Sequence, residues 1–506
     1  MVSKVRSLGL FGLKGSEVFI ECFSTYGLVA FDIVGLPDAA VKEARERVRA
    51  SIKSCGFQFP SGRVTVNLAP ADLRKSGTLY DLPIFLGILA ATGSVPRLSE
   101  EDAFIGELSL SGELRSVPGV LPMALAAGKM GIKRLFVPKE NAPEATLAGG
   151  CQVFGVSNVV ELVGFLNGDD TALTEEEVWE PQGSTGDLPD FCDVHGQNNA
   201  KRALEIAAAG SHNVLLIGPP GSGKSMLARR LPSILPDLTK EEQLEVTQIH
   251  SVMGFTGKDR PLVSTRPFRS PHHTLSAAAL AGGGTSPKPG EISLAHHGVL
   301  FLDELPEFSR TALETLRQPL EDGFVTISRV AGTISYPSLF MLVCAMNPCR
   351  CGWNGDPSGR CTCSAASVAA YKGRISGPLL DRIDLRVTVP SLTYEEISSR
   401  GVGEPSAVIK ARVTTARQMQ RERYKAHARR TNASVPVEIL RNYIQLDDAA
   451  NALLARAYDH YGLTARSYDR VLRVCRTIAD LDGSDTVTAL HVAEAIQFRT
   501  TEVSSR

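Results

Sequence analysis

Residues 218–225 form a short glycine-rich segment of the kind that binds nucleotide phosphates. The segment reads Gly-Pro-Pro-Gly-Ser-Gly-Lys-Ser and fits the pattern G-x-x-x-x-G-K-[ST] at every fixed position. An apolar run, residues 213–217, precedes it, and a run with helical spacing, residues 225–231, follows it. A strand, a glycine loop and the start of a helix together direct backbone N–H groups at negative charge. The sequence therefore predicts a site for ATP and Mg²⁺, formed by Gly218, Pro219, Pro220, Gly221, Ser222, Gly223, Lys224 and Ser225.

The side chains at the end of this motif have separate predicted roles, and two acidic residues complement them. The ammonium group of Lys224 is expected to contact the β- and γ-phosphates, and the hydroxyl of Ser225 to bind Mg²⁺. Four apolar residues, 299–302, are followed by Asp303 and Glu304, as at the end of a buried strand. Asp303 is expected to act on Mg²⁺, and Glu304 to orient and polarise the attacking water. Together these residues predict ATP hydrolysis.

A polar residue follows the next apolar run. Residues 339–346 have the pattern of a buried strand and end at Asn347. At a strand tip, which is expected to lie between two acidic strands, Asn347 would position the lytic water or touch the γ-phosphate, as the sensor 1 residue of AAA+ proteins does. Alternatively, Asn347 only forms a turn before Pro348.

Two arginines further along the chain suit the arrangement of a ring ATPase. Arg382 follows the segment Gly-Pro-Leu-Leu-Asp and is predicted to be an arginine finger, which supplies charge to the nucleotide of the neighbouring subunit. The alternative is a surface arginine paired with Asp381 or Asp384. Arg466, with Arg470 as second choice, begins a helical run and is predicted to be a sensor 2 arginine that closes over the phosphates.

The distribution of patterns along the chain indicates a multidomain α/β protein. A chain of 506 residues is too long for one core. Residues 167–189 contain seven acidic residues and no basic one, which indicates a linker. This linker would separate an α+β domain, residues 1–166, from a P-loop α/β core, residues 190–400. Strand patterns fade after that point, so residues 401–506 are expected to form a helical lid domain.

Composition places the protein among globular chains without a membrane segment. Hydrophobic residues make up 43% of the chain, the mean hydropathy is −0.01 and the formal net charge is −1. No apolar run approaches the length of a membrane span, and the first residues lead into no secretory segment. A cytoplasmic protein is therefore predicted. Because the chain as a whole is not basic, any nucleic-acid site must come from local patches.

Four cysteines cluster in a short segment. They follow the pattern C-x-C, nine residues, C-x-C, and the residues between the pairs suit a tight loop. Four thiolates can hold structural Zn²⁺, which in a reducing compartment is favoured over a disulfide. Unliganded loop cysteines are the alternative, and a zinc site here would hold a subunit edge. The ligands would be Cys349, Cys351, Cys361 and Cys363.

These motifs, in this order, resemble those of magnesium-chelatase-like AAA+ ATPases, specifically the ComM/YifB family. The resemblance covers nearly the whole chain. Its most specific segments are Phe-Arg-Ser-Pro-His-His-Thr at 268–274, Pro-Gly-Glu-Ile-Ser-Leu-Ala-His at 289–296, Asn-Pro-Cys at 347–349, and residues 374–382 and 476–481. The resemblance implies a hexameric ring ATPase that moves branched DNA, linked to recombination during natural transformation. Single-stranded or branched DNA and further copies of the chain are thus the expected partners.

Two basic segments are available for contact with DNA. Residues 324–336 have the pattern of a β-hairpin, which in relatives points into the ring pore, so Arg329 could reach phosphate. A solvent-facing arginine on a structural hairpin is the equal alternative. Residues 410–430 contain eight cations and one acid, which favours contact with the DNA backbone over a solvated helix face. The predicted contacts in this segment are Arg417, Arg421, Arg423 and Lys425.

The first domain resembles the proteolytic domain of Lon. Residues 106–114, followed by Pro-Gly-Val at 118–120, match a strand-turn-strand segment of that domain. Lon proteases need a nucleophilic serine and a lysine that activates it. The corresponding positions hold Tyr80 and Leu121, so the domain is predicted to lack the catalytic dyad and to build the ring or contact DNA instead.

The sequence thus favours an ATP-driven ring motor on DNA, most specifically a branch-migration helicase. The main alternative is a chelatase-type ATPase subunit that drives metal insertion. The Lon-like domain, the four cysteines and the basic segment favour the motor, because a simple chelatase motor is not expected to need them. A Lon-like protease is a second alternative, which Tyr80 and Leu121 disfavour. Helicase polarity and the preferred DNA structure do not follow from the sequence.

Overall fold

The computed structural model describes residues 2–72, 74–180, 188–284, 287–329, 332–394, 403–427 and 429–499. The predicted boundary between residues 400 and 401, and part of the acidic segment 167–189, lie outside these residues. Of the helices in the described parts of the chain, none combines the length and the apolar character needed to cross a lipid bilayer.

The chain up to residue 166 mixes strands and helices, as the sequence predicts. The strands are β1 (Val2–Phe11), β2 (Lys14–Thr25), β3 (Ala30–Val34), β4 (Arg63–Ala69), β5 (Asp102–Phe104), β6 (Glu107–Leu108), β7 (Leu114–Arg115), β8 (Arg134–Pro138) and β9 (Gln152–Val156). The helices are α1 (Ala39–Ser54), α2 (Asp81–Thr92), α3 (Val120–Lys129), α4 (Ala142–Thr146) and α5 (Val159–Leu166). One sheet has the order β1-β2-β4-β3 and another the order β5-β8-β9. A single apolar core joins the two sheets.

The P-loop belongs to a parallel sheet in the middle of the chain. The strands here are β10 (Val214–Ile217), β11 (Phe268–Arg269), β12 (Gly282–Gly283), β13 (Lys288–Pro289), β14 (Val299–Leu302), β15 (Phe324–Arg329), β16 (Gly332–Pro337), β17 (Met341–Met346) and β18 (Leu385–Thr388). The helices are α6 (Asn198–Gly210), α7 (Lys224–Ile234), α8 (Lys240–Val252), α9 (Ala277–Ala281), α10 (Glu291–Leu294), α11 (Arg310–Glu314), α12 (Arg317–Asp322), α13 (Ala365–Lys372) and α14 (Gly377–Leu380). The sheet has the order β11-β14-β17-β10-β18, and all its pairings are parallel. The carboxyl ends of these strands therefore meet at one edge, where ligands bind in open α/β sheets.

The last part of the chain is mostly helical, as predicted. Its elements are α15 (Ser406–Arg423), α16 (Val437–Arg441), β19 (Gln445–Leu446), α17 (Asp448–Tyr461), α18 (Ala465–Leu481), β20 (Thr486–Val487) and α19 (Ala489–Gln497). Buried residues of α18, such as Val474 and Ile478, share one apolar core with Val214 and Leu216 of β10. These helices are consequently packed against the parallel sheet.

The first part of the chain is joined to the part that contains the parallel sheet through contacts near α3 and α8. The backbone N–H of Gly119 donates to the carbonyl oxygen of Ser251 over 2.9 Å. The buried carboxylate of Glu144 accepts hydrogen bonds from the backbone of Leu121 at 2.9 Å and from the hydroxyl of Thr256 at 3.0 Å, and it also accepts from the hydroxyl of Ser251. Burial raises the pKa of Glu144 although these donors oppose the shift.

A second contact between these parts joins the turn of the β1–β2 hairpin to strand β16. A methyl group on Gly332, at the start of β16, would lie 2.9 Å from Cζ of Phe11, at the end of β1. A methyl group on Gly12 would lie 2.5 Å from Cγ2 of Ile334. Both glycines have positive φ, 130° and 65°, so close approach and backbone conformation each require glycine here. The tip of the first hairpin therefore packs directly on the β15–β16 hairpin.

Candidate nucleotide site

The glycines of the P-loop are required by its shape. The loop connects β10 to α7, and Gly221 and Gly223 have φ values of 77° and 92°, which favour glycine. A methyl group at Gly218 would lie 2.1 Å from the carbonyl oxygen of Val389. The structure thus gives the motif the strand, loop and helix that the sequence predicts for a phosphate site.

The structure brings the predicted sensor residue to the P-loop lysine. The ammonium group of Lys224 donates to the carbonyl oxygens of Gly218 and Pro219 at 2.8 Å each. It also donates to Oδ1 of Asn347 at 3.2 Å. Burial lowers the pKa of Lys224, and the charge of Asp303 opposes this shift. Asn347 therefore contacts the P-loop lysine directly, in addition to its place before Pro348.

The hydroxyl and carboxylates predicted to act on Mg²⁺ and water also lie together. Oγ of Ser225 donates to Oδ2 of Asp303 at 2.6 Å, and the backbone N–H of Glu304 donates to Oδ1 of Asp303 at 2.9 Å. Oε2 of Glu304 lies 3.4 Å from Nδ1 of His273. A hydroxyl and a carboxylate at a helix start are oxygen donors that suit Mg²⁺ beside bound phosphates.

Sequence reasoning did not assign two residues near this site, Gln197 and His273. Nε2 of Gln197 donates to the carbonyl oxygens of Ser222, at 3.3 Å, and Pro390, at 2.8 Å. Its Oε1 is buried and has no hydrogen-bond partner among the described residues. A single glutamine in a sequence does not indicate a binding site. The two histidines at 272–273 belong to a segment that indicated only the family resemblance.

Arg382 lies at the opposite end of the sheet from the P-loop of its own chain. The backbone N–H groups of Asp384 and Leu385 donate to the carbonyl oxygen of Asn213 at 3.0 Å each. This contact places Arg382 near the amino end of β10, whereas the P-loop follows the carboxyl end. Four residues of strand span roughly 13 Å. The same chain therefore does not bring Arg382 and Lys224 together.

The Arg382 side chain is almost fully buried in a cluster of like charges. It is 8% exposed and forms an ion pair with Glu321, and its Nη1 donates to the carbonyl oxygen of Pro378 at 2.6 Å. Burial lowers the pKa of Arg382, Glu321 opposes this, and the positive charges of Arg317, Arg470 and Arg466 add to the lowering. The alternative pairing with Asp381 or Asp384 is not seen.

Arg466 and Arg470 lie beside Arg382. Arg470 forms an ion pair with Asp384. Burial would raise the pKa of Asp384, but Arg470 and His212 hold it well below its ordinary value. Arg466 is exposed at the start of α18 and acts on Arg382 by repulsion. The expectation that Arg466 closes over phosphates is thus not met within one chain, because the α18 start lies at the far end of the sheet.

The four clustered cysteines converge, as the sequence predicts. Their sulfur atoms all lie within 4.8 Å of one another. Sγ of Cys349 is 3.3 Å from that of Cys351 and 3.8 Å from that of Cys361, and the latter two are 3.7 Å apart. Tetrahedral zinc with bonds of about 2.3 Å separates sulfur atoms by about 3.8 Å. Hydrogen bonds from the backbone of Trp353 and from Cys349 lower the pKa of Cys351 to about 6, and the fourth sulfur belongs to Cys363.

The cysteine loop also rests on the P-loop. A methyl group on Gly352 would lie 2.5 Å from Cδ of Pro220 and 3.8 Å from Cγ of Asn347. Oγ of Ser391 donates to the carboxylate of Asp356, in the same loop, at 3.0 Å. The loop is therefore a wall of the nucleotide site as well as a segment between the two predicted catalytic residues Asn347 and Arg382.

The predicted hairpin is present, with a second short hairpin beside it. Arg329 is exposed at the end of β15, and the turn residues 330–331 lie outside the described residues. A methyl group on Gly283 would lie 3.4 Å from Nη2 of Arg329, so the β12–β13 pair adjoins the hairpin. Lys288 on β13 is exposed. Because β12 and β13 contain only two residues each, the sequence has no alternating pattern that would predict them.

The prediction that residues 410–430 contact DNA is wrong for two of the four residues it names. Nε of Arg417 donates to the carbonyl oxygen of Ala208 at 2.9 Å, and burial lowers the pKa of Arg417 to about 9. Arg423 binds both carboxylate oxygens of Asp480, at 2.9 and 2.6 Å, and its side chain is 12% exposed. These guanidinium groups hold α15 against its neighbours and do not face outward.

The other two residues of that prediction remain accessible. Arg421 is 40% exposed and lies 3.7 Å from the carboxylate of Glu242. Lys425 is exposed just beyond the end of α15. Acidic residues that are distant in sequence thus pair with part of the positive charge of this segment, as Glu242 does with Arg421 and Asp480 with Arg423.

The positions that correspond to the Lon dyad are both internal. Tyr80, just before α2, is 2% exposed, and Leu121 in α3 is fully buried. Burial raises the pKa of the Tyr80 hydroxyl. Neither residue therefore presents a nucleophile or a base to a substrate.

Comparisons with known proteins agree with this arrangement. Residues 190–397 match the family model described as magnesium chelatase, subunit ChlI. Residues 20–141 match that of subunit ChlI of Mg-chelatase, and residues 403–499 match the subunit ChlI C-terminal model. An uncharacterized protein of Mycobacterium tuberculosis is 45% identical, over 99% of both chains. The competence protein ComM of Haemophilus influenzae and the uncharacterized protein YifB of Escherichia coli are each 42% identical, over 98% of this chain and 97% of theirs. The chain therefore belongs to the ComM/YifB family of magnesium-chelatase-like proteins.

Proposed function

We propose that this protein is an ATP-driven AAA+ ring motor that acts on single-stranded or branched DNA, as a branch-migration helicase in recombination and natural transformation. The observation that carries the proposal is the convergence of Lys224, Ser225, Asp303 and Asn347 at one edge of the parallel sheet. Family membership implies ATP and Mg²⁺. Ser225 and Asp303 would hold the Mg²⁺, which when bound neutralises charge on the phosphate oxygens.

The roles of the other residues follow from their positions. Lys224 binds the β- and γ-phosphates. Its hydrogen bonds to the carbonyl oxygens of Gly218 and Pro219 already hold its ammonium group within the P-loop. Asn347 positions Lys224 and the γ-phosphate relative to each other. Glu304 orients the attacking water and accepts its proton, and the exposed fraction of its side chain, 59%, leaves room for that water.

The separation of Arg382 from its own P-loop supports a ring. Arg382 and Arg466 would supply charge to the nucleotide of a neighbouring subunit, so each site forms between two chains. In the single chain, Glu321 neutralises Arg382, and a neighbouring γ-phosphate would compete for the same guanidinium group. A hexamer is the ring size that the family resemblance implies. In this arrangement residues 1–166 form a Lon-like domain that builds the ring, 190–400 the motor and 401–506 the lid.

The two adjacent hairpins are the proposed DNA contacts. Arg329 on β15 and Lys288 on β13 are both exposed, and both lie on short protrusions from the sheet. One or two cations in each subunit give little binding alone, but repetition around a ring multiplies the effect. Lys425 and Arg421 remain as a second, weaker group.

Substitution of both Arg329 and Lys288 by Ala is expected to abolish stimulation of ATP turnover by forked DNA and to leave basal turnover within about twofold. Each lost phosphate contact should make the salt dependence of duplex affinity shallower by about 0.9 in the log–log slope. Turnover with and without DNA, and anisotropy titrations at several salt concentrations, measure both effects. The exposed Lys240 on α8 provides a matched control as Lys240→Ala.

The contrasting variants are Arg417→Ala and Arg423→Ala. Because these side chains are used inside the protein, their loss is expected to lower Tm by several degrees before it changes the salt slope. If wild-type protein with ATP and Mg²⁺ binds neither forked, four-way nor single-stranded DNA, the motor proposal fails.

A chelatase-type ATPase that drives metal insertion is the second candidate function. The match of residues 190–397 to the magnesium chelatase subunit ChlI model favours it. Its nucleotide chemistry is the same, so only the partner distinguishes the two functions. ATP turnover that responds to no DNA structure would support this candidate.

We further propose that Cys349, Cys351, Cys361 and Cys363 bind one structural Zn²⁺ per chain. The sulfur separations suit tetrahedral zinc, and Cys349 is fully buried. Because Gly352 in this loop packs on Pro220, the metal would stabilise the P-loop wall as well as any subunit edge.

Elemental analysis of protein never exposed to chelator is expected to give about one zinc per chain. The double variant Cys361→Ser/Cys363→Ser should lose the metal and weaken ATP binding by roughly tenfold, because the loop that supports Pro220 loosens. Cys192→Ser, at a cysteine outside the cluster, is the control and should keep both. Metal-free wild-type protein with four freely titratable thiols would contradict the zinc proposal.

A further inference from the structure

We infer that Glu321 is a positioning residue that restrains Arg382 until a load on the β15–β16 hairpin moves the two apart. This role rests on the proposed ring ATPase, in which Arg382 acts on the neighbouring nucleotide, and it adds the regulation of that step. The carboxylate of Glu321 is 57% exposed, whereas the Arg382 side chain with which it pairs is 8% exposed. Glu321 therefore lies on the solvent side of the ion pair.

The guanidinium group of Arg382 is not presented to a neighbouring subunit in this arrangement. Its Nη2 donates to Glu321, and its Nη1 donates to the carbonyl oxygen of Pro378 at 2.6 Å. Its Nε is buried and has no hydrogen-bond partner among the residues that the structure describes. Arginine binds phosphate best through two parallel N–H groups. A γ-phosphate from the next subunit must therefore displace the carboxylate of Glu321 before it can bind Arg382 in this way.

Glu321 also compensates the charge of Arg382 in a region of like charges. Three further arginines repel this charge, namely Arg317, Arg466 and Arg470. The buried carboxylate of Asp384 is already paired with Arg470. Loss of the Glu321 charge would leave Arg382 among like charges, which favours movement of its side chain outward, towards a phosphate.

Glu321 lies close to the base of the β15–β16 hairpin. It is the last residue but one of α12, and Gly323 joins this helix to β15. The backbone N–H of Ser338, just after β16, donates to the carbonyl oxygen of Gly323 at 2.8 Å, so the two strands meet here. The strand from this base to Arg329 spans roughly 20 Å. A pull on Arg329 would therefore act through a hydrogen-bonded pair of strands on the end of α12.

The end of α12 is held from a second side by the C-terminal part of the chain. Nη1 of Arg429, beyond α15, donates to the carbonyl oxygen of Glu321 at 2.8 Å, and its Nη2 donates to that of Asp322. These carbonyl groups belong to the last turn of a helix, where no intrahelical donor is available. Arg429 thus holds Glu321 in the restraining position, and a shift of the hairpin relative to Arg429 would release it.

The first test is Glu321→Gln, which keeps the size of the side chain and removes its charge. In the assembled protein we expect basal kcat of ATP hydrolysis to rise about twofold to fivefold, in line with the small free energy of a partly exposed ion pair. Stimulation by forked DNA should fall by a similar factor. The same rise in basal kcat should occur in the Arg329→Ala/Lys288→Ala protein, because Glu321 acts after the hairpin. Asp322→Asn, which removes the adjacent charge on α12, is the matched control and should keep wild-type values.

Mixed rings separate action through Arg382 from a general effect on the ring. Lys224→Ala subunits supply the intact arginine, and Arg382→Ala subunits supply the intact P-loop. Addition of Glu321→Gln to the Lys224→Ala subunit should raise turnover of the mixture about twofold to fivefold. Addition of Glu321→Gln to the Arg382→Ala subunit should change nothing. Size-exclusion chromatography with light scattering verifies that both mixtures assemble equally.

Equal effects of the two placements, or an unchanged or lowered basal kcat in assembled Glu321→Gln protein, would overturn the role of Glu321. If Glu321→Gln does not assemble, Glu321→Ala provides the same comparison with the same expected rise. A wild-type protein that does not hydrolyse ATP would refute the proposed ATPase, and this role with it. Hydrolysis that no DNA structure raises would refute the DNA motor and the release by the hairpin, while the mixed rings still decide whether Glu321 restrains Arg382.

Discussion

Glu304→Gln is expected to lower kcat of ATP hydrolysis by about 10²–10⁴-fold, the usual contribution of a general base, and to trap ATP on the protein. The amide keeps the size of the carboxylate but polarises water poorly. Since the Glu304 side chain is 59% exposed, the change should cost little stability. Lys224→Ala should have the complementary effect on binding, because it removes the cation held in the P-loop. Charge-assisted hydrogen bonds are worth about 1.5–3 kcal/mol each, so ATP affinity should fall by roughly tenfold to 100-fold or more.

ATP affinity and turnover, measured on both variants, separate the two roles. Glu307→Gln is the matched control, because this carboxylate lies three residues further on and pairs with Arg374 outside the site. It should hydrolyse ATP like the wild type. Normal turnover in Glu304→Gln would show that another group activates the water.

Arg382→Ala is expected to lower turnover by the assembled ring by about 10³-fold, the lower range for arginine fingers, with ATP binding to each chain nearly unchanged. The reason is the position of Arg382 at the far end of the sheet from its own P-loop. Arg374→Ala, at an arginine 50% exposed, is the control for a general loss of positive charge. Turnover and ATP affinity of the three proteins provide the comparison.

Mixed rings test whether Arg382 acts across the interface. Arg382→Ala and Lys224→Ala subunits are each expected to hydrolyse little ATP alone, but in a mixture some interfaces combine an intact P-loop with an intact arginine. Partial activity should therefore return. An inactive mixture, with subunit exchange verified, would mean that Arg382 does not act in trans.

The sequence was most informative where a motif fixes local backbone. That the P-loop, Asp303 and Asn347 lie close together could be predicted, because each follows a short apolar run with the pattern of a strand. In a parallel sheet the carboxyl ends of such strands meet at one edge. The convergence of the cysteines was predictable for the same reason. Helices in the last part of the chain could be expected because strand patterns fade after residue 400, and helices α15 to α19 lie there.

Longer-range relations could not be predicted from the chain alone. The eight cations at 410–430 favoured a surface in contact with DNA. Arg423 instead forms an ion pair with Asp480, 57 residues away, and only the fold reveals that pairing. The position of Arg466 depends on how α18 packs on the sheet. The β1–β2 hairpin was missed because glycines interrupt its apolar alternation, although its register is continuous from Val2–Phe23 to Phe11–Lys14.

The packing of Phe11 on Gly332 has a mechanical consequence if the protein is the proposed DNA motor. Force applied by a nucleic acid strand to Arg329 would load the β15–β16 hairpin near its turn. Closely packed atoms transmit displacement, so the tip of the first hairpin would move with it or separate from it. In such a motor, the N-terminal part of each subunit would respond to tension on the DNA by a route that does not pass through the nucleotide site.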